Sequence, residues 1–171
     1  MARTDWERRD HHQGMLGPLE ALEAELQKGG LPTEISVPEE HPFTAKSEAR
    51  EFLAQAATKV TVVDNWVGPS TLDCLRDVNQ FIRLLTGQHA TALADGFERA
   101  LGDFCSEGYR IEVRRHPKLH DRYILFNDRC WLVGSSLKDA GKKAFNLIEV
   151  VDSKANIEAE VERKWNEGTL L

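Results

Sequence analysis

The sequence is poor in cysteine, with Cys74, Cys105 and Cys130 the only three among 171 residues. An odd number, widely scattered and without a Cys-x-x-Cys pair, excludes a disulfide framework and a thiolate zinc site. Each falls within an apolar pattern, so all three are expected to be buried, reduced thiols. Long apolar runs are missing too. Nothing approaches the roughly 18 consecutive apolar residues that span a bilayer, and the opening MARTDWERRDHHQG has no apolar signal-peptide core. A cytoplasmic protein without a membrane span is the expectation. The chain also lacks a strong excess of either charge. A net of −6 excludes a protein that coats a polyanion non-specifically. Metal-ligand spacing is absent as well: Asp10, His11 and His12 lie together in a polar stretch without further ligands, so neither metal nor cofactor is expected.

What is present is a composition of 41% hydrophobic and 29% charged residues, that of a folded globular chain. The charge is unevenly spread. Residues 1–58 hold 11 acids and 6 bases, whereas residues 110–143 hold 9 bases and 4 acids. A local basic focus in an acidic protein suits a defined anionic group better than a long polyanion.

Residues 3–28 read as a helical stretch with Trp6 and a leucine stripe, broken near Gly14 and Gly17-Pro18. The Pro-rich segment GGLPTEISVPEEHPFT reads as a connector, which places a domain boundary between residues 45 and 46. The extension 1–45 contacts a partner chain, packs on its own domain or docks another protein; the sequence leaves the three open. Beyond the boundary a helix capped by Thr44 or Ser47 runs to about Thr58. The β-branched run KVTVVDNW (59–66) is a buried strand, and Ser70 is the expected cap of the following helix. QFIRLLTG (80–87) is a second strand, 91–108 an amphipathic helix and YRIEVRRH (109–116) a third strand. DRYILF and RCWLVG form a hairpin across Asn127-Asp128. A last strand (145–151) and a helix (154–167) with Ile157, Val161 and Trp165 on its packing face close the chain. Alternating strands and helices followed by a hairpin predict an α/β fold, a mixed sheet with helices on both faces.

The chemistry concentrates in KLHDRYILFNDRCWLVGSSLKDAGKK (118–143). Strand alternation puts His120 and Arg122 on one face, and the hairpin returns Gly134, Ser135, Ser136 and Lys138 beside them. A glycine lets backbone amides approach an anion, and hydroxyls and ammonium groups add donors. Imidazole, guanidinium, hydroxyl and ammonium together suit a phosphate. Lys142 and Lys143 either face that ligand or belong to a solvated loop. Asp64 either reaches the same site or caps the next helix. Asn-Asp at 127–128 is turn chemistry.

This spacing resembles the phospholipase D superfamily motif: His-x-Lys, four residues, Asp, six residues, Gly-Ser-x-x-Asn. The register falls on His120, Arg122, Asn127, Gly134, Ser135 and Lys138, with Arg, Asn and Lys in place of Lys, Asp and Asn. VTVVDNWVGPSTLDCL also resembles the first strand and helix of bacterial phospholipase-D-like domains. The resemblance covers residues 47–171 and implies that fold. It also implies a metal-independent phosphodiesterase or nuclease acting through a phosphohistidine at His120, with Arg122, Ser135 and Lys138 around the phosphate. A single motif implies a homodimer in which each chain supplies one histidine. The alternative is an inactive module that binds nucleic acid, a nucleotide or a lipid headgroup, or a protein partner, for instance in bacterial defence.

Overall fold

The computed structural model describes residues 30–171; the helical stretch read over 3–28, with Trp6 and the histidine pair, lies outside the described residues. The unit Thr33–Leu171 is built on one eight-stranded sheet. Its strands are β1 (Glu34–Val37), β2 (Val60–Asp64), β3 (Ile82–Gly87), β4 (Ile111–His116), β5 (Tyr123–Phe126), β6 (Arg129–Val133), β7 (Phe145–Glu149) and β8 (Thr169–Leu170). The helices are α1 (Pro42–Ala54), α2 (Pro69–Leu75), α3 (Phe97–Ser106) and α4 (Lys154–Glu167). The strand order is β1-β7-β6-β5-β2-β3-β4-β8. β2, β3 and β4 are mutually parallel and the remaining pairs antiparallel.

The central strands follow from their residues. VTVVD and IRLLTG are buried along their whole length, as strands covered on both faces must be. The parallel crossovers β2-α2-β3 and β3-α3-β4 place α2 and α3 on one face. α1 joins them there, its Phe52 ring 5.1 Å from Phe126 and 4.9 Å from Trp131. α4 covers the other face, where Val161 and Trp165 pack with Val63, Leu85 and Leu119. Trp165 lies under two guanidinium groups, Arg83 at 4.1 Å and Arg114 at 4.8 Å from its ring centre. Arg83 also reaches Glu162 on α4 at 2.9 Å. The expected mixed sheet with helices on both faces is the observed architecture.

The Asn127-Asp128 turn is as its residues dictate. Both have positive φ, 50° and 57°, the type I′ geometry that Asn and Asp tolerate. The Asn127 side-chain oxygen also accepts the Ala57 amide at 2.8 Å.

Four expectations are corrected. Residues 34–37, read as connector, form edge strand β1 against β7, so the sheet draws on chain upstream of residue 46; four residues between prolines carry no legible alternation. Cys105 is exposed on α3, while Cys74 and Cys130 are buried, and burial pushes those two thiols up to about 12 and about 11. α2 starts at Gly68-Pro69 with no Ser70 cap; the Gly68 amide donates to Thr71 Oγ1 at 3.1 Å. α1 opens on Pro42 behind His41, with no hydroxyl cap.

Candidate active site

The topology brings the C-terminal ends of β2, β3 and β4 to one edge of the sheet, together with the start of β5 and the end of β6. Asp64, Trp66, His89, His116, His120, Arg122 and the 134–138 loop therefore share that edge. In an open α/β sheet this is where ligands bind.

At its centre is Asp64, which is 1% exposed. Its Oδ1 accepts the Trp66 amide at 3.1 Å, and its Oδ2 accepts the Leu137 amide at 3.0 Å and the Ser136 hydroxyl at 2.8 Å. Arg122 Nε stands 3.4 Å from Oδ1, and its guanidinium lies 5.4 Å from the centre of the Trp66 ring. Burial pushes the Asp64 carboxyl above its ordinary pKa, and the Ser136, Trp66 and Leu137 donors and the Arg122 charge pull it back in part. Asp64 thus does not cap α2. It ties the hairpin loop and Arg122 to the end of β2, the first of the two roles open to it in the sequence.

Neighbouring loops are locked by backbone contact. A side chain at Gly87 would run into Asn65 and His89, so only glycine allows the close approach. His89 Nε2 donates to the Asn65 carbonyl at 3.2 Å and its Nδ1 accepts from Thr91 Oγ1 at 3.2 Å. Its ring stands edge-on to Trp66 at 5.3 Å.

The hairpin loop spends its polar groups on itself. Ser135 Oγ donates to the Ala144 carbonyl at 2.9 Å, and the Gly134 amide donates to the Asn146 carbonyl at 2.9 Å. Ser136 Oγ also lies 2.6 Å from the Trp66 carbonyl. Lys138 Nζ sits between both oxygens of Asp139 at 2.9 and 3.0 Å. Lys142 and Lys143 are exposed, their amides closing a turn onto the Asp139 carbonyl.

His120 stands apart from this network. β5 begins only at Tyr123, so strand alternation does not extend to residue 120. The segment 117–122 crosses from β4 to β5 on the α4 face, pinned by buried Leu119 in the Trp165 cluster. His120 is exposed and lines a cavity of about 410 Å³ with His116, Lys118, Glu160, Arg163 and Lys164. A smaller recess joins it to Tyr123, Glu160 and Lys164. Among the described residues no hydrogen bond or ion pair joins His120 to Arg122, Ser135, Ser136 or Lys138. His116 is buried, its Nδ1 accepting the Lys118 amide at 3.1 Å and its Nε2 donating to Glu167 at 3.2 Å. Glu160 is held below the ordinary carboxylate range chiefly by its bond to Lys164, with His120 adding to the effect. Glu167 is held down by Arg163 and His116.

The structure thus joins Arg122 to Ser136 through Asp64, keeps Ser135 and Lys138 in the adjoining loop, and turns His120 toward α4. Sequence reasoning missed Glu160 and Lys164, since α4 reads as a packing helix and nothing local marks its polar face. Among the described residues no group of three or more His, Cys, Asp or Glu is placed to hold a metal, and no helix is long and apolar enough to cross a membrane.

No protein-family model and no curated protein matches the sequence. Solved structures do match in fold. NucT from Helicobacter pylori superposes with a TM-score of 0.60 at 8% identity, over 81% of this chain and 97% of that one. Nuc from Salmonella typhimurium, a phospholipase D family member, gives 0.58 at 14% identity over 81% and 98%. The archaeal chromatin protein TrmBL2, whose structure shows a novel mode of DNA binding, gives 0.54 at 14% identity over 98% and 68%. The fold of this chain is phospholipase D-like.

Proposed function

We propose that this chain, on its phospholipase D-like fold, engages a phosphodiester of nucleic acid at the strand-end edge and cleaves it through a phosphohistidine at His120. The observation that carries the reading is the state of Arg122. Its Nε faces Asp64, while its terminal nitrogens make no hydrogen bond among the described residues. A guanidinium so anchored keeps one side for a phosphate, which it can hold bidentately. The DNA binding of a chromatin protein of the same fold supports nucleic acid as the substrate class, and the basic stretch 110–143 suits the one phosphodiester to be cleaved.

In the proposed reaction the free imidazole nitrogen of His120 attacks phosphorus and the P–O bond to the leaving group breaks. A second histidine gives that oxygen its proton. Water then attacks phosphorus, giving its proton to the second histidine; a P–O bond forms, the P–N bond breaks, and His120 is regenerated with release of a phosphate monoester. With one motif per chain, that second histidine comes from a second copy in a symmetric homodimer.

A binding-only module is the second reading, favoured by a specific observation: Ser135 and Lys138 are engaged within their own loop. Purified protein and His120→Ala, incubated in excess chelator with bis(p-nitrophenyl) phosphate and with single-stranded DNA, separate the two. The enzyme reading expects turnover lost in the variant. Equal rates, or none from either protein, refute it; DNA binding that persists and depends on Arg122 then establishes the module. Light scattering tests the homodimer, and a strict monomer contradicts it.

A further inference from the structure

The motif register puts arginine at the position of the lysine that accompanies the histidine in the phospholipase D motif. Lys138, the other cation that the motif register sets around the phosphate, points elsewhere: its ammonium is clasped by both oxygens of Asp139. The α4 face carries another lysine. Lys164 lines both recesses that His120 lines, and its side chain is only 14% exposed although α4 is a surface helix. Its Nζ lies 2.6 Å from Glu160 Oε1, and Glu160 faces the same imidazole.

We propose that Lys164 is the ammonium that serves His120, and that the cavity between the 116–120 segment and α4 is the pocket for a phosphate oxyanion. This rests on the reading of His120 as the group that meets the phosphate. Three observations carry it. Of the two histidines in the cavity, His116 is engaged at both ring nitrogens, which leaves His120 free to meet a ligand. Lys118 and Arg163 add cations on the same walls, against the carboxylates of Glu160 and Glu167. Glu160 already occupies Lys164 as an anion would, at charge-assisted distance, so a phosphate oxygen competes for a donor that is positioned and partly desolvated. Arg122 then holds the far side of the phosphodiester from the Asp64 network, and the two cations reach it from different sides of the crossover segment.

The test follows the His120 ring resonances by NMR in the full chain during titration with inorganic phosphate, His120→Gln providing the assignment. In wild type the ring signals should move. Lys164→Met should weaken that response about tenfold, the loss of one charge-assisted contact of roughly 1.4 kcal/mol. Lys164→Arg should keep it within about threefold, and Lys138→Met should leave it unchanged. A wild-type ring that ignores phosphate, or a response lost in Lys138→Met and kept in Lys164→Met, overturns the proposal. Should Lys164→Met fail to fold, Glu160→Gln decides: releasing the ammonium should tighten phosphate binding, and an unchanged or weaker affinity overturns it. Turnover separates the two readings. Phosphate binding through Lys164 without diester hydrolysis sinks the hydrolase and leaves this assignment standing.

Discussion

Replacing Asp64 with alanine should cost a large part of the stability of the domain, although the residue touches no hydrophobic cluster. Its carboxyl, 1% exposed, receives the Trp66 and Leu137 amides, the Ser136 hydroxyl and the approach of Arg122 Nε. Alanine strands two backbone donors and takes the carboxylate away from the Arg122 guanidinium. Each orphaned donor costs about 1–3 kcal/mol, and removing one partner of a buried ionic network costs about 3–5 kcal/mol in total. A domain of ordinary stability has only about 5–15 kcal/mol to lose. Urea unfolding reads the effect. With a slope of about 1–3 kcal/mol/M, the midpoint should fall by roughly 2 M. Ser136→Ala should cost much less, since it removes one hydroxyl and strands no amide. The pH dependence adds a sign. Burial raises the folded pKa of Asp64 above 3.8, so the folded state holds that proton more tightly than the unfolded chain. The contribution is full below 3.8 and fades as pH rises through the folded pKa. The gap between wild type and Asp64→Ala should therefore narrow with rising pH in that window. A midpoint shift under about 0.5 M, or a gap that widens, refutes the claim that Asp64 pins the hairpin loop to β2.

Two further outcomes follow from the same packing. Arg129 and Glu149 share two hydrogen bonds of 2.7 and 2.6 Å with both side chains 15% exposed, and Arg129 holds Glu149 below its ordinary pKa of 4.5. Their stabilisation is present above 4.5 and is lost as pH falls through the folded pKa, so Glu149→Gln should flatten the acid limb of a stability-pH curve by about 1.5–3 kcal/mol; an unchanged limb contradicts it. Trp165→Ala should cost about 3–5 kcal/mol by thermal unfolding, because it empties the α4 core and uncovers Arg83, whose Nε and Nη2 have no hydrogen-bond partner among the described residues. A loss under about 1 kcal/mol would mean that α4 is held by its ion pairs instead.

The sheet was legible wherever a local rule acted alone. The run KVTVVD is a covered central strand because β-branched residues fill both of its faces. Asn127-Asp128 is a tight turn because those two side chains tolerate positive φ. β1 was not legible, because four residues between prolines have no pattern of their own; β7 supplies their order. His120 shows the limit most clearly. Alternation places residues 120 and 122 on one face only if both lie in a strand, and the crossover from β4 ends that strand at Tyr123. Leu119, buried against Trp165, sets the direction of His120 from a contact 46 positions away in the chain. Asp64 and Lys164 depend on partners just as distant, Ser136 for one and the 116–120 segment for the other. Residue types could be read; the pairing of their charges could not.

The most direct test of the phosphodiester reading is a covalent trap. Wild-type protein mixed with single-stranded DNA bearing labelled phosphates, quenched in alkali and digested, should yield a labelled peptide carrying phosphohistidine at His120, and His120→Ala should yield none. Label on any other residue, or cleavage by wild type with no label at His120, contradicts the account.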